Sequence, residues 1–511
     1  MSTPLDGELI MPDEHLQPLL ASLGFAPVGF TRRLDSWLCV DAARLNRLWE
    51  YYRNPMRSAG DDRSPKPYRH AQEWGLPRRI TGEPSEGIAR KEVVIENDIA
   101  WRIDVMVDFL VGGEVKIASA AADPARRHVI STLVNQIVAE HGGTVLWQHL
   151  ATIGAVHGHV DVLVKLLPPD EPLLPEPASR REESAPASPP NDAPCDPADP
   201  GASTCSLEAT ARLARRIRLE VVEPARALPL FNPVDRRRLD AFVRVYHLPR
   251  PGDMRGARRA ANSRNWFRRW FDTAGAAPSR CRVLEIITPT RWFKIEDDKL
   301  VAHGRNSLGE LPLAHIQNVA APFQWTGASD VEPLIPLQDE INTRLSDRAH
   351  RITMQSFRMY LGKGIDNFTE RSVAPGQMWM SDNPDAEIIE FGGDASCPSE
   401  DAHLRELREA MDKASGVTPI AAGILKNRIG HLTSAAALRV TMMNLLARTR
   451  RKRATYGAGI ARIGELALAW LDRAGLFKTT LAERQLEVTW PQPPVDVSCA
   501  EILSGAACAG S

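Results

Sequence analysis

A helical signal begins after Pro336 and runs to about Leu361, and a rod of that length shapes any fold that holds it. It would measure about 40 Å at roughly 1.5 Å per residue. Leu337, Ile341, Leu345, Ile352 and Met359 make an apolar stripe along it. Arg344, Arg348 and Arg351, at offsets 0, 4 and 7, make a basic stripe beside the apolar one. Gly362-Lys363-Gly364 ends the run, and a strand-and-turn region follows from Val373 to Phe391, punctuated by Pro375-Gly376, Asn383-Pro384 and Gly392-Gly393. Ser399 is placed to cap a second helix that reaches about Ala414 before Ser415-Gly416 breaks it. A small-residue loop, Val417 to Leu432, carries Lys426, Asn427 and Arg428. Thr433-Ser434 then starts a final long helix to about Ala474, with Arg448, Arg450, Arg451, Lys452 and Arg453 along it. A strand-like piece, Val488–Trp490, and a Pro-rich turn close the chain.

The 511 residues suffice for several cores, so two or more domains are expected. A formal net charge of -1 argues against a protein that coats nucleic acid over its whole surface, though not against contact along one strip. Seven scattered cysteines without CxxC spacing point to a reducing compartment, with no disulfide scaffold or zinc site. The first residues carry Asp6, Glu8, Asp13 and Glu14 and lack the basic start and apolar core of a secretory signal. The most apolar helical stretch, Ala458 to Leu471, is interrupted by Arg462 and Glu465 and is too short to span a bilayer. No membrane insertion is expected.

Earlier in the chain, Leu45, Leu48, Trp49 and Tyr52 fall at helical spacing before Asn54-Pro55 ends the run. From Arg57 to Arg90 the Pro, Gly, Arg and Ser content reads as an extended arm or loop. Helices are expected over Ile99–Leu110, stopped by Gly112-Gly113, then over about Ala125–Glu140 and Val145–Val156. His157-Gly158 turns the chain into a strand at Val160–Leu166. Pro168 to Thr204 is dense in Pro, Ala, Asp, Ser and Glu, and reads as a disordered insertion within a domain. Strands resume at Arg216–Val222, Ala241–His247, Val283–Thr288 and around Trp292–Ile295. The basic stretch Arg255–Arg269 is interleaved with Trp266 and Phe267, with Trp270 just beyond. It is either a nucleic-acid surface or, by default, a solvated segment whose aromatics pack on the sheet.

Catalytic signatures are missing: no GxxxxGK[ST] phosphate loop, HExxH, GxSxG elbow or GxGxxG after a strand. His149, His157 and His159 lie close together but without a supporting Cys or carboxylate set, so a structural role is the expectation. Glu296-Asp297-Asp298 reads as a solvated hairpin turn. Neither a catalytic nor a metal site is assigned.

The order of these elements resembles the portal proteins of tailed phages. Local residues agree: Asn318 to Phe323, Ser329-Asp330-Val331, and Leu334 to Asn342 with Gln338-Asp339 and Asn342, then Ser346, are similar to the family's segment leading into the stem. Ser415-Gly416-Val417-Thr418-Pro419 and Thr433 to Leu438 resemble its tunnel-loop region and the start of the next helix. Leu48-Trp49-Glu50-Tyr51-Tyr52-Arg53 resembles its early tyrosine-rich helix, and Asn97 with the following helix its first wing helix. The chain departs from the pattern in the insertion 168–204 and in an abbreviated crown.

The resemblance implies an α+β portal fold with an α/β wing, two-helix stem, strand-containing clip, long C-terminal helix and reduced crown. Its implied parts are N-terminal helices and arm (1–89), wing (90–332), stem helices (333–361 and 399–415), clip (362–398), channel loop (416–432), a long wing/crown helix (433–475) and a reduced crown or tail (476–511). It implies a non-enzymatic ring, a dodecamer, at the capsid vertex of the virion, made in the host bacterial cytoplasm. That ring would conduct double-stranded DNA without a cofactor. Implied partners are the terminase large subunit, a head–tail adaptor, and the major capsid and scaffolding proteins, with no membrane. Candidate channel residues are Arg344, Arg348 and Arg351 in the stem and Lys426, Asn427 and Arg428 in the loop. For the stem arginines the alternative is salt bridging to Asp339, Glu340 or Asp347 of a neighbouring subunit. For Arg448–Arg453, helix packing and surface pairing are favoured over DNA contact. Alternatives for the whole chain are a non-packaging ring connector of a prophage or gene-transfer particle, and a metal-dependent phage nuclease.

Overall fold

The computed structural model describes residues 27–58, 67–81, 88–89, 92–167, 207–232, 234–235, 238–249, 280–297, 299–356, 359–364, 383–391, 397–422 and 435–491. In chain order, helix α1 (Pro27–Trp37) passes through a π-helical turn into α2 (Ala43–Arg53). Short strands β1 (Met56–Ser58), β2 (Tyr68–His70), β3 (Arg79–Thr81) and β4 (Ile88–Ala89) precede α3 (Asp98–Val111) and β5 (Lys116–Ser119). Then come α4 (Pro124–Glu140), α5 (Thr144–His157), β6 (His159–Leu166), α6 (Leu207–Arg216) and β7 (Ile217–Val222). Strands β8 (Ala227–Phe231), β9 (Leu239–Pro249), β10 (Arg280–Ile287), β11 (Arg291–Glu296), β12 (Lys299–Arg305) and β13 (Leu313–Gln317) follow. The remainder is α7 (Ile335–Ser356), β14 (Met359–Lys363), β15 (Glu387–Phe391), α8 (Pro398–Ser415), α9 (Ala435–Arg473) and β16 (Leu486–Thr489).

The chain folds as two compact units: one from Met1–Trp49, Ile103–Asp330 and Asn427–Ser511, the other from Glu50–Arg102 and Val331–Lys426. In the first unit five antiparallel strands lie in the order β12-β11-β10-β9-β8. Alternate residues face inward, and Val243, Val245, Leu284, Ile286, Phe293 and Ile295 are covered by Phe30, Leu34 and Trp37 of α1. A second sheet, β13-β6-β7, is also antiparallel. Its central strand β6 is buried from His159 through Val164, so its apolar Val160, Val162, Leu163 and Val164 lie on both faces, with buried Asp161 among them.

Helix α9 lies against this second sheet so closely that a Cβ on Gly459 would come within 2.3 Å of Ile316 Cγ1. Only glycine permits that approach. At the end of α5, Gly158 takes φ 90 as a left-handed cap, with its amide bonded to the Gly154 carbonyl at 2.7 Å. The expected turn at Glu296-Asp297 falls in the β11–β12 hairpin, with Glu296 opposite Lys299, while Asp298 lies outside the described residues.

The second unit holds α7 and α8 and the ribbon β14–β15. Helix α7 stops at Ser356, short of the expected Leu361, and Met359-Tyr360-Leu361 pairs with Phe391, Glu390 and Ile389. The helical spacing of Ile352 carries no packing with it: Ile352 is 45% exposed. Tyr and Leu beside a strand partner rich in Ile and Phe favour the pleated surface instead. Helix α6 and strands β8, β12 and β13 were not legible in the sequence. The insertion 168–204 and the basic aromatic stretch Arg255–Arg269 lie outside the described residues. Mixed helix and antiparallel sheet, the chain is α+β as expected.

Candidate functional site

The second unit is organised along α7, which uses two faces. On one face Gln338, Asn342 and Ser346 are fully buried, four residues apart. The segment leading into α3 runs beside them, and its amides at Asp98, Glu96 and Val94 donate to Gln338 Oε1, Asn342 Oδ1 and Ser346 Oγ, each at 3.0 Å. Buried Gln72 extends the network: its Nε2 donates to the Tyr51 carbonyl at 2.7 Å and to Asn97 Oδ1 at 2.8 Å, and its Oε1 accepts from Asn342 Nδ2 at 3.0 Å. Asn97 Nδ2 donates to the Tyr52 carbonyl at 2.9 Å, and the Tyr51 hydroxyl donates to Asp339 Oδ1 at 2.8 Å. The polar residues on which the sequence resemblance rests in this region, Tyr51, Tyr52, Asn97, Gln338, Asp339, Asn342 and Ser346, therefore meet in one network.

The other face carries the basic stripe. Arg344 Nε lies 2.7 Å from Glu340 Oε1, and its Nη1 lies 3.4 Å from Asp347. Arg348 pairs with Asp401 and Arg351 with Glu400, both across to α8. His403 of α8 approaches Glu340 at 3.3 Å. A shallow cleft runs between Arg344, Asp347, Arg351, Ser399, Glu400 and His403. Partial burial would raise the Glu340 carboxyl, but hydrogen bonds from Arg344 and His403 more than offset this and hold it below the usual range. Each arginine of the stripe thus faces a carboxylate of its own chain. Asp339, the remaining acid considered as a partner from sequence, is bonded to Tyr51 instead.

In the first unit an ionic cluster is buried at the junction of α9 with the segment after β13. Lys452 Nζ lies 2.5 Å from Asp330 Oδ2 and Arg448 Nη2 lies 2.8 Å from Oδ1. Asn318 Nδ2 donates to Asp330 Oδ2 at 2.7 Å, and the Asp330 amide donates to the Ala155 carbonyl at 2.8 Å. Burial opposes ionisation of Asp330, yet Lys452 and Arg448 together hold its carboxyl below the ordinary value. This assembly was missed from sequence, although the signal was present: Arg448 and Lys452 are four apart and share a helix face. Arg453 bonds the Phe109 carbonyl at 3.3 Å and lies 5.5 Å from the Trp490 ring centre. Packing and pairing account for these three members of the 448–453 cluster.

Buried His157 stacks on Trp49 with ring centres 5.7 Å apart, and His159 Nε2 lies 3.8 Å from buried Asp161. Burial lowers His157 to about 3 and His159 to about 4, so both are neutral at physiological pH. Among the described residues no group of three His, Cys, Asp or Glu could hold a metal ion. No helix among them is long and apolar enough to cross a membrane. The loop candidates Lys426, Asn427 and Arg428 lie outside the described residues.

The polar groups assembled here tie elements of the chain to one another. Residues 210–496, more than half of the chain, match the family model described as phage portal protein, SPP1 Gp6-like, and the chain belongs to that family. The family is structural. Two solved structures are similar at low identity. A chain of "Virion of native gene transfer agent (GTA) particle" shares 12% identity at TM-score 0.39, covering 80% of this chain and 85% of that one. A chain of "Neck of empty GTA particle computed with C6 symmetry" shares 14% identity at TM-score 0.41, with the same coverage of 80% and 85%. A search of curated proteins found no match.

Proposed function

We infer that this chain is one subunit of a ring at the capsid vertex, a dodecamer, that conducts double-stranded DNA during packaging and ejection. The family match over 210–496 carries this reading. In it α7 and α8 are the stem, residues 362–398 the clip, 416–432 the channel loop and 90–332 the wing, with 476–511 a reduced crown. The clip docks the terminase first and a head–tail adaptor later, and the capsid and scaffolding proteins surround the wing. Such a particle component is made in the host cytoplasm and is not an enzyme; the motor's chemistry belongs to the terminase.

A conduit must attract phosphates enough to guide a duplex and weakly enough to let it slide. Arg344, Arg348 and Arg351 suit that requirement, because each already faces a carboxylate in its own chain. Their field at the channel wall is attenuated, and the firmer contact falls to Lys426, Asn427 and Arg428 in the loop. Negative-stain microscopy of the purified full-length chain tests the ring, and particles without a central channel would refute it. Replacing Lys426 and Arg428 by glutamate is expected to lower DNA filling while rings still assemble. Unchanged filling would reject the loop assignment.

A further inference from the structure

Helix α9 changes character along its length. Ile460, Ile463, Leu466, Leu468 and Leu471 are buried, whereas upstream one face stays open. Val440, Met443, Ala447, Arg450 and Ala454 are exposed at steps of 3, 4, 3 and 4, flanked by exposed Asn444 and Arg451. That is the spacing of a helix–helix seam, and its alanines allow close approach.

The opposite side of the same stretch is occupied. Lys452 Nζ is 3.7 Å from Met106 Sδ, and Arg453 bonds the Phe109 carbonyl of α3. Arg450 is two positions from Lys452, and Asp108 two from Met106, each about 200° around its helix. The Lys452 and Arg453 side chains join the two helices, and the sides turned away from these contacts differ. One presents Arg450 and Arg451 among small apolar residues; the other presents exposed Asp104 and Asp108. Like charges four apart on a helix repel. Partial burial and the neighbouring Asp104 raise the Asp108 carboxyl accordingly.

A head-to-tail contact that closes into a ring requires two different, complementary patches on each copy. We propose that Arg450 and Arg451 of one subunit dock on Asp104 and Asp108 of the next, with Val440, Met443 and Ala447 filling the seam. This rests on the ring reading above and names the contact that builds it.

The test uses two full-length variants, R450E/R451E and D104R/D108R, sized by light scattering and imaged by negative stain. Each alone presents like charges at every junction and is expected to lose the ring peak in favour of monomer. Mixed together, each acidic α9 face meets a basic α3 face and the reverse, so rings containing both variants in equal amounts are expected to return. Recovery on mixing also shows that both variants are folded. Rings formed by either variant alone, or a mixture that stays monomeric, would overturn the proposal. Variant rings that assemble normally but retain less DNA would reassign Arg450 and Arg451 to the channel. A wild-type chain that forms no ring would sink the ring reading itself, a distinct result.

Discussion

Lys452 Nζ sits 2.5 Å from Asp330 Oδ2, with both side chains withdrawn from solvent and Arg448 on the other carboxylate oxygen. Removing one partner of such a cluster leaves a buried charge uncompensated, at a cost of roughly 3–5 kcal/mol. Lys452→Met is expected to destabilise by that order in urea denaturation. Adding Asp330→Asn should not recover the loss, because Arg448 then loses the carboxylate it pairs with. A single variant as stable as wild type would remove the cluster from the core's energetics.

The side-chain ladder along α7 predicts a local effect. Asn342→Leu leaves the Glu96 amide and Gln72 Oε1 without their partner, each worth about 1–3 kcal/mol when buried. Hydrogen exchange should accelerate at residues 94–98 before it does in the five-stranded sheet. Uniform protection across both regions would show the ladder to be dispensable.

Acid should destabilise the first unit through its histidines. An unfolded histidine titrates near pH 6.5, whereas burial lowers His157 to about 3 and His159 to about 4. Between those limits the unfolded chain binds more protons than the folded one. The stabilisation present above about pH 6.5 is therefore lost as pH falls toward 4 and then 3. Each titrating histidine adds a slope of up to about 1.4 kcal/mol per pH unit. Thermal melts should shift down over this range, and less so in His157→Phe; a flat profile would contradict the burial.

The pairs joining α7 to α8 are partly exposed, with Arg348 at 30% and Arg351 at 28%. Replacing either by glutamine is expected to cost less than about 1 kcal/mol. The effect should shrink further in high salt. A loss of several kcal/mol would mean that these pairs hold the two helices far more tightly than exposed ion pairs do.

Close packing of α9 on β13 makes Gly459 intolerant. A methyl there meets Ile316, and Gly459→Ala should destabilise by about 1–3 kcal/mol. Ile316→Val in the same chain should relieve some of that strain. If the alanine variant melts like wild type, the contact is looser than described.

The sequence by itself determined what depends on near neighbours. The ends of α3, α4 and α5 follow from Gly112, Pro124 and Gly158, since caps and breakers act within a turn. Strand β6 was visible as a mainly apolar stretch, Val160–Leu166, although its burial on both faces was not, and the order of elements around residues 337–474, with local residues, sufficed to suggest the family. Tertiary structure alone decided the rest. Whether Met359 continued a helix or began a strand depended on Ile389 and Phe391, thirty residues away in the chain. Whether Arg348 faced solvent or Asp401, and whether Lys452 was a surface cation or the buried partner of Asp330, depended on contacts between segments with no local signature. Periodicity tells which residues share a face; only the packed chain fixes what that face meets.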